Sequence, residues 1–402
     1  MSEKTDYLII GSGIAGYFAM LDLLKNNAKV TMVSSDQDYP YDRPPLSKEY
    51  LRGEIDKPYF NSPDYYASIP VKLYLNSEVE KIKKKEAILK NGKTIEFEKA
   101  LIATGARPRH LSLEREYNNV FYLRTLRDCN AIKEALSYSK NPVIIGGGFI
   151  GVEAAASMAK LGKKPTVIEA LPYIWSSFVS ENVSKYVKEY LESKGVTILT
   201  DEKVKDFEGT DKVKAVITQS GKKIETDMIL ISIGVQPNVE IAENSEISTN
   251  NGILVNEYLE TNVKDIYAAG DVANFIDPLS GKRKRIEHWN NAQYMGELAA
   301  KNMMGKEVQY NFLSTVWSDI FDIHIESGGE TRDYDDSIVR GKIETNSFNV
   351  IYIKGGVVNG YVAFNRPPEE LTTLNDIILK KITVSNKKDK ISDEGYDLKT
   401  LL

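Results

Sequence analysis

Sulfur is nearly absent from this chain: one cysteine, Cys129, in 402 residues. A single thiol excludes an internal disulfide framework, a CxxC redox pair and any iron–sulfur or cysteine-rich zinc site built by the chain alone. Redox chemistry therefore requires a bound cofactor. Histidine is almost as scarce, and the three present, His110, His288 and His324, lack metal-ligand spacing and belong to no Ser-His-Asp arrangement. Excess charge is missing too. With 52 Lys and Arg against 57 Asp and Glu the formal charge is -5, so no global field favours nucleic acid or an anionic membrane. No apolar run approaches the roughly 18 residues of a membrane span, and the opening Met-Ser-Glu-Lys-Thr-Asp is too polar for a signal peptide, which gives the expectation of a cytoplasmic protein. A hydrophobic content of 42% in a chain of this length suffices for two to three cored domains.

Glycine, by contrast, is placed with regularity. From Tyr7 the chain reads YLII, GSGIAG, an apolar-periodic stretch from Ile14 to Leu24, then KVTMV ending at Val33, which is strand, glycine turn, helix and strand. The order returns from Pro142 as VIIGGGFIGVEAAASMAKLG followed by PTVIE. In each GxGxxG loop the first glycine permits the tight turn, the second admits a pyrophosphate to the backbone, and the third lets the helix close on the sheet. Gly11, Ser12, Gly13, Ile14, Ala15 and Gly16 form the first loop; Gly146, Gly147, Gly148, Phe149, Ile150 and Gly151 form the second. An acidic residue is expected about 20 positions on, where it accepts from ribose hydroxyls, and Asp36 and Glu169 stand there. Glu169 would repel a 2'-phosphate, and no Arg follows in Ala170, Leu171 and Pro172, which favours NADH over NADPH. The plainer alternative is that both acids are solvated strand ends.

Around these units the pattern predicts a loop over DYPYDRPPLSK, strands at Ile95 to Phe97 and Leu101 to Ala103, and a helix from Val183 to Ser193. It further predicts a strand at Val196 to Leu199, a hairpin over Val213 to Ile224, and strands at Met228 to Ile233 and near Ile266. Alternation in FDIHIES and SFNVIYIKGG predicts an antiparallel sheet beyond Gly305, followed by a helix from Glu369 to Ile382 and a charged, loosely held tail.

GSGIAG, PYDRPPLSK, ATGARP, LRTLRD, GGGFIGVE, IGVQPN, YAAGD, EHWNNA and VWSD follow one another in an order that resembles the FAD-dependent NADH:ferredoxin and rubredoxin reductases, relatives of apoptosis-inducing factor. These form a branch of the pyridine nucleotide-disulfide oxidoreductase superfamily without the redox disulfide. The resemblance implies an α/β fold of two Rossmann-like, glutathione-reductase-like dinucleotide-binding domains plus a C-terminal α+β domain with an antiparallel sheet. It places an FAD domain at 1–111 and 237–305, an NAD domain at 112–236 and a C-terminal domain at 306–402.

By the same resemblance the first loop holds FAD and the second NADH. Further FAD positions implied are Ser35, Arg43, Val79, Ala103, Thr104, Gly105, Arg124, Gly270, Asp271, Glu287, His288, Trp289, Ala292 and Trp317. Ile233 and Gly234 join the NAD set, and no metal is expected. Which of Ser34, Ser35 and Asp36 meets the FAD ribose stays open, as does whether His288 tunes the flavin or only packs. Lys48 and Glu153 are the catalytic candidates: the resemblance makes them an ion pair beside flavin N5, Lys48 stabilising the reduced ring and Glu153 orienting Lys48 and contacting the nicotinamide carboxamide. The alternative for the pair is two solvated charges. Cys129 reads as a buried, inert thiol.

The activity implied is passage of a hydride from NADH to FAD and then of single electrons to a small acidic ferredoxin or rubredoxin, by a monomer or homodimer. Two alternatives remain: an NADH oxidase or diaphorase reducing oxygen, quinones or dyes, and a redox-sensing interaction protein like apoptosis-inducing factor. The basic run Gly281-Lys-Arg-Lys-Arg285, expected on a loop, either steers an acidic partner or is a solvated hairpin.

Overall fold

The computed structural model describes residues 3–112 and 116–402. Met1 and Ser2 of the polar N-terminus, and residues 113–115 within the span expected for the NAD domain, lie outside the described residues. The chain divides into two compact units: Met1–Arg43, Lys57–Arg107 and Val235–Ser314 form the first, and Pro44–Asp56, Pro108–Gly234 and Thr315–Leu402 the second.

In the first unit, Glu3–Ile10 lies parallel between Val30–Val33 and Thr94–Ile102, with Tyr7 opposite Val30 and Lys99. Val71–Tyr74 and Ile266–Ala268 extend the parallel part, while Glu86–Leu89 and Val79–Lys83 add antiparallel strands. The two strands expected around Ile95 and Leu101 are one, Thr94–Ile102. Its first half alternates in burial and its second half is buried on both faces, so Glu96 and Glu98 interrupt the apolar pattern without breaking the strand. Helices Ile14–Leu24 and Trp289–Met303 lie together: a Cβ on Gly296 would be driven into the Ala15 backbone, so only glycine allows this approach.

The second unit holds a five-stranded parallel sheet in the order Thr197–Leu199, Thr166–Ile168, Pro142–Ile145, Met228–Ile231, Val120–Tyr122. Val204–Gly209, Val213–Thr218 and Lys223–Glu225 form a small antiparallel sheet, so the expected hairpin gains a third strand. The expected antiparallel sheet beyond Gly305 is present, ordered Thr315–Ile320, Ile323–Gly329, Val357–Phe364, Ser347–Lys354, Asp336–Lys342.

Three expectations need correction. The end of the PYDRPPLSK segment is not a loop but a 3-10 turn, Pro44–Ser47, leading into the short helix Glu49–Arg52. The C-terminal helix is Pro368–Leu379, ending before Ile382. The tail is not loosely held: Ile391, Leu398 and Leu401 are buried, and the Arg340 guanidinium donates to the carbonyls of Ile391, Asp393, Glu394 and Tyr396. Among the described residues no helix is long and apolar enough to cross a membrane.

Candidate functional site

In the first unit the glycine loop has the steric form its sequence demands. Gly11 adopts φ +114°, and a Cβ there would enter the Ala103 carbonyl, while one on Gly16 would enter the Gly11 carbonyl. Gly13 caps the Ile14–Leu24 helix in extended conformation, with no side-chain cap and no acid in the first turn, so the positive helix end is left for an anion. The Arg43 guanidinium lies over this point, Nη1 being 3.3 Å from where a Gly13 Cβ would sit, and its buried Nε has no partner among the described residues. A cationic donor over an uncapped helix start fits a diphosphate.

Ser12 Oγ and the buried Ser34 Oγ are 2.7 Å apart, and Asp36 accepts from the Tyr41 hydroxyl at 2.8 Å, while Ser35 is exposed. Thr104 and Gly105 are tied to Asn238 by three hydrogen bonds of 2.8–3.0 Å. Val79 and Ala103 are buried. Gly270 and Asp271 begin a 3-10 turn, Gly270–Val272, with a Gly270 Cβ position 3.1 Å from the Ala15 methyl. Trp289 donates its indole N–H to Asp42 at 2.7 Å, and Ala292 is buried one turn on. His288 meets Ser314 Oγ at 2.8 Å, and burial pushes its imidazole down to about 4, so it is neutral at pH 7. The basic run is one arm of an exposed hairpin rather than a loop: Arg283–Lys284 pairs antiparallel with Phe275–Ile276 and both residues are exposed, although Arg283 also donates to the carbonyls of Val255 and Asn274, Lys284 pairs with Asp277, and the buried Arg285 side chain pairs with Glu287.

In the second unit, Gly146 (φ +108°) and Gly151 repeat the steric demands of Gly11 and Gly16, against the Ser232 and Gly146 carbonyls. Ile233 and Gly234 continue from Ser232, and Gly234 accepts from the Arg109 N–H at 2.9 Å. Gly148 caps the helix Phe149–Lys160, again without a side-chain cap or a first-turn acid, and a Cβ there would have nothing within 4 Å. That open helix start fits the second diphosphate. Glu169 accepts from the backbone N–H groups of Gly147 (2.6 Å) and Leu171 (2.8 Å), which fixes its carboxylate at the loop rather than in solvent. Trp175, which sequence reading passed over, is buried, donates its backbone N–H to the Gly147 carbonyl and joins Phe149 and Phe178 in an aromatic cluster behind the loop. Arg124 precedes the capping box of Thr125 and Asp128 that starts the Leu126–Tyr138 helix.

The same unit brings Lys48 and Glu153 together. Lys48 is the N-cap of Glu49–Arg52, and Glu153 lies in the second turn of Phe149–Lys160; they are 4% and 7% exposed, and Lys48 Nζ is 4.0 Å from Glu153 Oε1. They are not solvated charges. The hydroxyls of Ser47 (2.5 Å) and Ser318 (2.8 Å) also donate to Glu153. Burial raises the Glu153 carboxyl above its usual range against the opposing pull of Lys48 and both hydroxyls. Burial would lower Lys48, but Glu153 and Asp319 outweigh it and hold the ammonium up.

Four residues of this cluster escaped sequence reading: Ser47, Ser318, Asp319 and His324. Lys48 donates to Asp319 Oδ2 at 3.2 Å, nearer than Glu153, and Asp319 Oδ1 is 2.6 Å from His324 Nδ1. Burial would raise the Asp319 carboxyl, yet the His324 bond and the Lys48 charge hold it down to about 2. Ser47, Ser318 and Asp319 lie within PYDRPPLSK and VWSD, so those motifs held the signal. Trp317 is half-buried on the same strand. Cys129 is buried with its Sγ 3.1 Å from the Leu46 carbonyl, and burial pushes its thiol up to about 12. Among the described residues no cluster of His, Cys, Asp and Glu could hold a metal.

Comparison with known proteins agrees with these features. Residues 5–296 match the family described as pyridine nucleotide-disulphide oxidoreductase, and residues 315–402 match the reductase C-terminal family. The chain is 31% identical to putidaredoxin reductase of Pseudomonas putida, covering 100% of this chain and 98% of the relative. It is 32% identical to the ferredoxin reductase subunit of 5,5'-dehydrodivanillate O-demethylase from a Sphingobium strain, covering 98% of each. The solved covalent complex of putidaredoxin reductase with putidaredoxin superposes with a TM-score of 0.93 at 30% identity, over 99% of this chain and 98% of that one.

Proposed function

Because this chain belongs to the pyridine nucleotide-disulphide oxidoreductase family, we propose that it is an FAD-dependent NADH reductase passing single electrons to a small ferredoxin or rubredoxin. The observation that carries this reading is the state of the chain's sulfur. Its one thiol is Cys129, buried and pushed up to about 12, so electrons taken from NADH have no protein disulfide to enter and must leave for an external acceptor. The relatives' names, ferredoxin reductase and putidaredoxin reductase, support a small redox protein as that acceptor.

FAD, when bound, accepts electrons from NADH in a pair and yields them one at a time. Gly11–Gly16 and Arg43 would hold its diphosphate, with Ser34, Ser35 or Asp36 at the ribose and Thr104, Gly105, Asp271, Trp289 and Trp317 as further contacts. Gly146–Gly151 would hold the NADH diphosphate at the uncapped helix start. Glu169, already fixed by two backbone N–H groups, keeps lone pairs for ribose hydroxyls and disfavours a 2'-phosphate. Lys48 would offset negative charge gained on reduction, and Glu153 would orient Lys48 and the nicotinamide carboxamide. The FAD domain is assigned to 1–111 and 237–305, the NAD domain to 112–236 and the C-terminal domain to 306–402, in a cytoplasmic protein.

Anaerobic titration tests the cofactor assignment. NADH is expected to bleach the flavin band at ~450 nm at about one equivalent per FAD, with NADPH far less effective. A protein reconstituted with FAD that keeps its colour under excess NADH would overturn the reading.

A further inference from the structure

Lys48 stands between two carboxylates, and the nearer is not the one that family position singles out. Its ammonium is 3.2 Å from Asp319 and 4.0 Å from Glu153. Glu153 is fixed from the other side by Ser47 and Ser318, so movement in this cluster falls to Lys48. Asp319 in turn is opposite His324 in the hairpin register of Thr315–Ile320 and Ile323–Gly329, and His324 is 45% exposed at its side chain. The line Glu153, Lys48, Asp319, His324 thus runs from a buried carboxylate to a group in contact with solvent.

We propose that Asp319 and His324 are positioning residues for the Lys48 ammonium, and that protonation of His324 decides how strongly Asp319 draws Lys48 from Glu153. The consequence for flavin reduction rests on the function proposed above; the coupling among the four side chains does not. A charged His324 shares the Asp319 carboxylate, weakens its hold on Lys48 and lets the ammonium settle on Glu153. A neutral His324 can still donate its Nδ1–H to Asp319 but brings no positive charge, so the Asp319 charge bears more strongly on Lys48. Rising pH therefore moves positive charge away from Glu153. The other groups around His324 do not cancel this. Glu326 lies two residues on along its strand, Asn365 accepts its backbone N–H, Lys160 reaches the Phe321 carbonyl, and Tyr190 and Lys194 face Asp322. The Asp319 hydrogen bond and charge raise His324 above the usual imidazole range, Glu326 adds to this, and Lys48 opposes it.

The test is an NMR titration of the imidazoles in the FAD-bound protein, with His324 assigned by loss of its signal in His324→Gln. Lys48→Met is expected to raise the His324 midpoint and Asp319→Asn to lower it, each by roughly one pH unit. The second substitution nearly preserves shape and decides the matter should Lys48→Met not fold. The rate of anaerobic flavin reduction by NADH should show a step at the wild-type His324 midpoint that His324→Gln abolishes. A His324 titration that neither substitution moves would overturn the coupling. Coupling without a step, in a protein whose flavin NADH does reduce, would overturn the positioning role. Coupling in a protein whose flavin NADH does not reduce would uphold the Lys48 arrangement and refute the proposed function instead.

Discussion

Lys48→Met is expected to cost about 3–5 kcal/mol of stability at neutral pH, the scale for stripping one partner from a buried ion pair. Glu153 would remain buried with only the Ser47 and Ser318 hydroxyls to face it. Its carboxyl would rise further, so the folded state would bind a proton that the unfolded state releases. Stability of the variant is therefore greatest below the ordinary glutamate range and falls as pH rises through the folded value. Glu153→Gln should be milder, about 1–3 kcal/mol, because Asp319 still neutralises Lys48. For electron transfer, each single substitution is expected to slow NADH-driven flavin reduction by on the order of 10²-fold. Lys48→Met combined with Glu153→Ala should be little worse than either alone, since both remove one unit. Small, independent and additive losses in stopped-flow reduction would sink the pair as a functional element.

Gly148→Ala is expected to separate folding from cofactor binding. Gly148 has φ -78° and ψ -170°, open to any residue, and its added methyl would meet nothing within 4 Å. Thermal midpoint and FAD content should stay at the wild-type level. The methyl nonetheless occupies the mouth of the uncapped Phe149–Lys160 helix, where the NADH diphosphate would approach, so NADH affinity should fall by roughly 10²-fold. Gly151→Ala gives the contrast: its Cβ would enter the Gly146 carbonyl, so the second unit itself should fail. Unchanged NADH affinity in Gly148→Ala would place the nucleotide elsewhere.

These contrasts also show what the sequence made legible. Both glycine loops, their helices and Glu169 could be read because a βαβ turn is local, and its steric needs are written within a few residues. The antiparallel sheet could be read from alternation. The Asp319–His324 contact could not, because it depends on hairpin register: the two residues touch only when Ile320 pairs with Ile323. Ser47 and Ser318 reach one carboxylate from distant segments. Composition misread the tail, where charge masks the buried Ile391, Leu398 and Leu401 and the carbonyls that Arg340 gathers. The partners of the basic run follow from register in the same way: Asp277 and the Asn274 carbonyl come from the facing arm of its own hairpin, and the Val255 carbonyl from a separate segment.

The most direct test is a choice of acceptors: the flavin is reduced anaerobically with one equivalent of NADH, and its reoxidation is followed after mixing with an oxidised ferredoxin or rubredoxin, or with air. The account predicts return of the flavin band within the turnover time with the iron–sulfur or rubredoxin partner and a much slower return in air. Reoxidation by air as fast as by any such partner would contradict it and make the protein an oxidase.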